Sequence, residues 1–144
     1  MITRSCLLLA LMIGLLTLSY AQPIDFTVAA IKEGLRRSPN NYIAAVVEIG
    51  GRVQCVGPDS GDLCWVRAVV VEEIASRHPD GFPKTFLLAS GAAPGTRASG
   101  KLIVFAVPMG ETGVYSSTSA SVYGKGRLRS FREAVDIALH GRRI

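Results

Sequence analysis

The sequence predicts a mainly β domain with a helix at each end, in which about five strands form one strongly bent antiparallel sheet or barrel. Short runs rich in β-branched residues, separated by turn residues, recur between positions 42 and 123. Paired glycines, Gly50-Gly51, interrupt the first of these runs, as at a bulge or a sharp bend. Helical spacing of apolar residues is confined to the two ends of the chain.

The first 21 residues have the pattern of a cleavable secretory signal peptide. Arg4 precedes an uncharged, leucine-rich run from Cys6 to Leu18, and Ser19 and Ala21 are the small residues that a signal peptidase requires before a cut at Gln22. We therefore expect residues 1–21 to be removed and residues 22–144 to form a single domain, secreted or periplasmic.

A membrane anchor and a lipoprotein are the alternatives for this N-terminal run. The run is shorter than the ~20 apolar residues that span a bilayer, and no basic stop-transfer cluster follows it. A lipid-acceptor cysteine would end the run, whereas Cys6 begins it. We expect no transmembrane segment after signal cleavage.

The elements of the mature chain follow in order from its residue patterns. Asp25 to Arg37 is predicted as a helix that Asp25 caps, with two arginines at the negative end of the helix dipole. Alternating or continuous apolar runs predict the strands, and Trp65, at the start of the second, is assigned to the core rather than to a ligand platform. The strands are predicted at residues 42–56, 63–74, 85–89, 101–107 and 114–123.

The C-terminal helix is predicted to begin at a capping box, Ser130-Phe131-Arg132-Glu133, in which Ser130 and Glu133 satisfy each other's backbone donors. An apolar stripe follows at helical spacing, which predicts packing on the sheet. Gly141 is expected to end the helix. The stripe consists of Phe131, Ala134, Val135, Ala138 and Leu139.

The mature chain has two cysteines, Cys55 and Cys64, separated by eight turn-rich residues. Because exported proteins meet an oxidising compartment, we predict a disulfide that closes a hairpin. A redox pair would usually be spaced as CxxC, and a zinc site would need two more ligands, for which His78 and His140 are the available histidines. The intervening Asp59-Ser60-Gly61-Asp62 lacks calcium-loop spacing and is interpreted as a turn.

This strand pattern resembles the oligonucleotide/oligosaccharide-binding (OB) barrel and its secreted netrin-like and tissue-inhibitor-like variants. The residues that carry the resemblance are Gly50-Gly51, the Val66–Val71 strand and the segment from Gly100 to Phe105. It covers about residues 42–128 in strand order and spacing. The N-terminal Cys-x-Cys of tissue inhibitors is absent, so the resemblance implies a binding scaffold and assigns no inhibitor residue.

No catalytic, cofactor-binding or metal-binding residues are assigned. The chain has no Gly-x-Ser-x-Gly elbow, and its glycine-rich stretches do not follow P-loop spacing. Glu72 and Glu73 are adjacent on a strand and so point to opposite faces, which excludes a glycosidase-type carboxylate pair.

Two surfaces are candidate binding sites. Tyr115 and Tyr123 are expected on one face of a serine-rich strand, where they would stack a sugar ring or a partner's side chain; the alternative is an ordinary edge strand with one solvated face. Lys125, Arg127 and Arg129 belong to a basic C-terminal region, which also contains Arg132, Arg142 and Arg143 against two acidic residues. The alternative for this segment is a solvated connection into the helix.

The sequence thus favours an exported, non-catalytic binding or accessory protein without a cofactor, whose partner is an unidentified protein or saccharide of the cell envelope. A divergent extracytoplasmic hydrolase is one alternative. A binder of anionic polymer or membrane surface through the basic segment is another. Export argues against nucleic acid as the natural partner.

Overall fold

A computed structural model describes residues 24–56 and 63–141. The predicted signal peptide and its cleavage site lie outside the described residues. Within them, no helix is long and apolar enough to cross a lipid bilayer. The chain order is α1 (Ile24–Arg37), β1 (Tyr42–Val56), β2 (Leu63–Arg77), β3 (Thr85–Ala89), β4 (Arg97–Pro108), β5 (Val114–Val122) and α2 (Lys125–His140).

The five strands close into a barrel in the order β1-β2-β3-β5-β4, with β4 returning to β1. All neighbours are antiparallel except β3 and β5, which run parallel. The predicted class, a bent mainly β domain with a helix at each end, is confirmed, and the sheet is closed rather than open.

The sequence of β1 and β4 explains why both strands are buried on both sides. Residues 42–47 and 103–107 are buried without interruption. Alternate side chains of each run point into the barrel and outward under the helices. The barrel interior contains Ile43, Ala45, Val47, Val53, Val66, Ala68, Phe86, Leu88, Val104, Ala106 and Tyr115.

A second apolar cluster lies outside the barrel, between the sheet and the two helices. Phe131, Ala134 and Val135 of the predicted stripe are buried there, and Ala138 and Leu139 pack against them. The prediction that the C-terminal helix packs on the sheet is confirmed. The strands contribute Tyr42, Ala44, Val46, Ile103, Phe105 and Val107, and α1 contributes Ile31.

The Gly50-Gly51 bend is present where the sequence predicts it. Gly51 has a φ of 104°, a conformation that glycine adopts readily and other residues do not. The pairing of β1 with β2 shifts register between Gly50 and Gln54. In the described residues, the part of β1 after this bend contributes nothing to the apolar cluster under the helices.

Both helices begin earlier than predicted. α1 starts at Ile24, so Asp25 lies in its first turn and does not cap it. α2 starts at Lys125 after Gly124, and no side chain caps it. Ser130 is therefore an exposed residue inside the helix, and the capping-box prediction was wrong. Leu128, three residues before Phe131, packs against the outer cluster and extends the apolar stripe by a turn.

β5 pairs on both sides, so it is not the edge strand considered from the sequence. Its serines and threonine leave space for a close approach by α1. A Cβ atom built on Gly34 would lie 2.8 Å from Oγ1 of Thr118 and 2.9 Å from Cε1 of Phe105. Small side chains on both elements therefore determine how closely α1 packs.

Candidate functional site

Tyr115 lies inside the barrel and not on its surface. Its side chain is 9% exposed and packs edge-to-face against Phe86, with ring centroids 5.4 Å apart. Its hydroxyl donates a hydrogen bond to Oδ1 of Asn41 over 3.3 Å. Burial raises the pKa of the Tyr115 phenol.

Tyr123 lies on the other side of the sheet from Tyr115. It follows β5, packs against the outer cluster, and has Nζ of Lys101 at 4.5 Å from its ring centroid. The two tyrosines are separated because Phe105 pairs with Ser119 while Ala106 pairs with Ser117, so Thr118 is an extra residue that reverses the alternation of β5. The expectation that both tyrosines share one face was wrong.

The basic segment forms the first turn and a half of α2 rather than a connection into it. Lys125 and Arg129 are exposed, whereas Arg127 is half-buried and donates a hydrogen bond to the Val122 carbonyl. The first turn of α2 contains no acidic residue. Cations at a helix N-terminus oppose the helix dipole, so this segment is a site of positive potential.

The two cysteines are directly opposite one another on β1 and β2, and they form the predicted disulfide. Cys55 and Cys64 both pack against the barrel interior. Because the two sulfur atoms are bonded to each other, their role is structural: they close the hairpin.

The helices cover only part of the barrel. They pack on the first half of β1, on the end of β2, on β4 and on β5 at Thr118. The outer side of the first half of β2, of β3 and of the second half of β1 lies beyond them, and we call this surface the open face. Its outward side chains, which alternate with the interior residues, are Gln54, Trp65, Arg67, Val69, Thr85, Leu87 and Ala89.

The open face combines apolar, aromatic and cationic side chains. Val69 is 42% exposed, and Leu87 is partly exposed. Trp65 is also partly exposed, because it alternates with the interior residue Val66, so its assignment to the core was wrong. Arg67 pairs across the strands with Leu87 and is exposed between these apolar neighbours. Among the described residues, Arg67 takes part in no ion pair. A surface of this composition is suited to binding, because aromatic and arginine side chains dominate the energetics of interfaces.

A cleft of about 530 Å³ opens at one end of this face, beside the seam between β3 and β5; we call it the seam cleft. Its lining includes the polar residues Arg67, His78 and Thr85, and the interior residues Phe86 and Tyr115 also line it. From the sequence, His78 is predicted to lie in a turn and Arg67 is assigned no role. The alternation of Arg67 with Val66 and Ala68 is a signal that Arg67 points outward.

A larger cleft of about 1170 Å³ lies between α1, α2 and the end of β2. Its lining includes cations such as Lys32 and Arg129 and anions such as Asp25 and Asp136. Arg132, which also lines it, is paired with Glu72. Because both signs of charge are present, the lining indicates no class of ligand.

Within residues 24–56 and 63–141, no cluster of three or more His, Cys, Asp or Glu side chains has the arrangement of a metal site. Neither protein-family models, nor curated proteins, nor solved structures give a match to this chain. The open face and the seam cleft are therefore assigned from their geometry and chemistry.

Proposed function

We propose that this chain is an exported, non-catalytic binding protein that holds an extended ligand across the open face of an OB-type barrel. The observation that carries the proposal is the open face itself. Trp65, Arg67, Val69 and Leu87 are at least partly exposed on the part of the barrel that the helices leave uncovered.

The strand order supports an OB-type barrel. Such barrels have five strands and bind oligonucleotides or oligosaccharides across strands 2 and 3. Here five strands close in the order β1-β2-β3-β5-β4, and the open face is centred on β2 and β3. Agreement between the strand order and the position of the uncovered surface favours this face as the binding site.

Two features support export. The disulfide between Cys55 and Cys64 would persist in an oxidising compartment and would be reduced in most cytosols. The charge and hydropathy pattern of residues 1–21 is typical of a signal peptide. We propose a secreted or periplasmic location, with a saccharide or protein of the cell envelope as partner.

The basic segment at the start of α2 is the second candidate surface, for an anionic polymer or a membrane surface. The observation that favours it is that Lys125 and Arg129 are exposed at the positive end of the helix dipole, with no acidic residue in the first turn. A diffuse attraction of this kind would weaken steeply as salt is added.

Comparative capture distinguishes the two surfaces. Columns carrying residues 22–144 as the wild type, as a Trp65→Ala variant and as a Lys125→Gln/Arg129→Gln variant are loaded with the same envelope extract. We expect the wild type and the double variant to retain the same material, and Trp65→Ala to lose it, because an aromatic anchor dominates an interface.

If the Trp65→Ala column still retains the captured material and the double-variant column does not, the binding site is the basic segment and not the open face. The eluted material also tests the absence of catalysis, since a ligand that is only bound is recovered at its original mass. Recovery of shortened chains would instead identify a hydrolase.

A further inference from the structure

We propose that the seam cleft binds the carboxylate of an acidic saccharide; this inference rests on the proposed function and names the class of ligand for the open face. The cleft lies where Arg67 of β2 and Leu87 of β3 meet the loop after β2, which contains His78. Four observations lead to a carboxylate-bearing sugar chain.

The first observation is that the barrel wall is short at this point. β3 has five residues, and its parallel pairing with β5 consists of two registered pairs, Leu87 with Val114 and Leu88 with Tyr115. Interior side chains are therefore reached from outside beside this seam. Phe86 and Tyr115, whose rings pack edge-to-face, line this cleft of about 530 Å³, a volume in the range of small-ligand sites.

The second observation is the set of donors. The Arg67 guanidinium is exposed, and it has no hydrogen-bonding or ionic partner among the described residues. Nδ1 of His78 accepts a hydrogen bond from the Asp80 amide over 3.2 Å, which leaves Nε2 as the ring nitrogen that can donate to a ligand. Thr85 also lines the cleft.

The third observation is that, among the residues that the structure describes, no acidic side chain lines the seam cleft, in contrast to the cleft between the helices, which contains Asp25, Glu133 and Asp136. The Arg67 guanidinium, with His78 as a second donor in the same cleft and no carboxylate in the described lining, favours binding of an anion. The planar fork of arginine matches the two oxygens of a carboxylate with two parallel hydrogen bonds.

The fourth observation is the surface that leads away from the cleft. Trp65 lies two residues from Arg67 on the same side of β2, so a ligand group on Arg67 continues toward an aromatic ring. A pyranose ring has an apolar face that stacks on an aromatic side chain and a polar rim. The alternation of cation and aromatic therefore fits a sugar chain that carries acid groups.

A nucleic acid fits this face less well. Binding to a phosphate backbone relies on a continuous track of cations. Here Glu48 lies in the row next to Arg67, between Val69 of β2 and Lys101 of β4, and interrupts the positive charge. The Nζ of Lys101 is itself placed over the Tyr123 ring.

The test is calorimetric titration of residues 22–144 with three probes: oligogalacturonate, its fully methyl-esterified form, and single-stranded DNA of similar length. We expect oligogalacturonate to bind. Esterification removes the negative charges but keeps the sugar chain, and we expect it to weaken binding about tenfold to hundredfold. DNA should bind more weakly than oligogalacturonate.

The Arg67→Gln variant should lose affinity for oligogalacturonate by about the same factor, and its affinity for the ester should not change. Arg67→Lys keeps the charge without the fork and should give an intermediate loss. Arg97→Gln is the matched control, because Arg97 is an exposed strand arginine outside the cleft. The affinity of this variant for oligogalacturonate should change by no more than about twofold. Circular dichroism and thermal unfolding confirm that each variant is folded, and Arg67→Lys replaces Arg67→Gln if the latter is not.

Equal affinity for acid and ester, equal losses in the Arg67 and Arg97 variants, tighter binding of DNA, or no binding of oligogalacturonate would each overturn the assignment of the cleft. The proposed function fails separately. If Trp65→Ala abolishes capture while the ester binds as well as the acid, the open face remains the binding site and only the ligand class is wrong.

Discussion

Gly34 is the residue on which the packing of α1 depends most directly. Alanine usually stabilises a helix by about 1 kcal/mol relative to glycine. At Gly34 the added Cβ would come within 3 Å of Thr118 and Phe105, both in the sheet below. Overpacking of this kind costs about 1–3 kcal/mol.

We therefore expect Gly34→Ala to lower the free energy of unfolding, measured by chemical denaturation. Gly126→Ala is the control, since Gly126 is also helical but a Cβ atom added there would meet no atom within 4 Å, and alanine should be neutral or stabilising. If both variants are stabilised, α1 does not pack on β5 as described.

Thr118 carries a buried hydroxyl with no hydrogen-bond partner among the described residues. Thr118→Val keeps the shape of the side chain and removes this unsatisfied group, so we expect the free energy of unfolding to rise by about 1 kcal/mol. Thr85→Val, at an exposed strand position, should change it by less than about 0.5 kcal/mol. A destabilised Thr118→Val would show that the hydroxyl has a partner in solution.

At the scale of the element, α1 carries an ionic cluster at its C-terminal end. Hydrogen bonding to Arg36 lowers the pKa of Glu33 from 4.5 to about 2, with a smaller contribution from Arg37. The carboxylate form is thus favoured in the folded helix. Its contribution to stability is complete above pH 4.5 and is lost as the pH falls through about 2.

The measurement for Glu33 is the NMR titration of its side-chain carboxyl. We expect a midpoint near pH 2 in the wild type, and a midpoint nearer the ordinary value in an Arg36→Gln variant. A wild-type midpoint above about pH 4, the usual range of a glutamate, would show that the cluster is not populated in solution.

The disulfide acts on the β1–β2 hairpin. Replacing Cys55 and Cys64 together by serine removes a cross-link that limits the unfolded chain, and we expect a loss of about 2–4 kcal/mol in thermal or chemical unfolding. Binding should be partly retained, because the cysteines point into the barrel and not onto the open face. Full stability with complete loss of binding would assign the cysteines a functional role instead.

The strands could be predicted where a local sequence pattern, an apolar run after turn residues, marks their start. The starts of β1, β2, β3 and β5 coincide with the predicted positions because each apolar run begins after turn residues. The start of α2 was mispredicted because Ser130 and Glu133 match a capping box in sequence. Leu128 is partly buried against the outer cluster, and this tertiary contact favours a helix that begins before the capping-box sequence.

The candidate site could not be predicted in full from the sequence, because its position depends on how distant strands pair and on how the barrel closes. The separation of Tyr115 from Tyr123 results from one extra residue in β5 relative to β4, which only the pairing of two strands reveals. The alternation in β2 indicates that Arg67 and Trp65 share a side. Which side the helices cover is decided by the closure of the barrel.

At the scale of the whole molecule, the helices and the open face divide the barrel between them. The helices bury the outer side of the first half of β1, of β4 and of part of β5, and this leaves the second half of β1, the first half of β2 and all of β3 for a ligand. Stability and binding are thus assigned to different parts of the barrel's outer surface. Substitutions in the outer cluster should affect unfolding, whereas those on the open face should affect affinity.

Trp65 provides the most direct test of this division, because it is the chain's single tryptophan and lies on the open face. The ligand retained by the wild-type column is titrated into residues 22–144 while tryptophan emission and the heat of binding are recorded together. We predict that the emission shifts to shorter wavelength and saturates with the heat, in the wild type and in Lys125→Gln/Arg129→Gln alike. Heat that saturates while the emission of Trp65 stays constant would contradict the central claim.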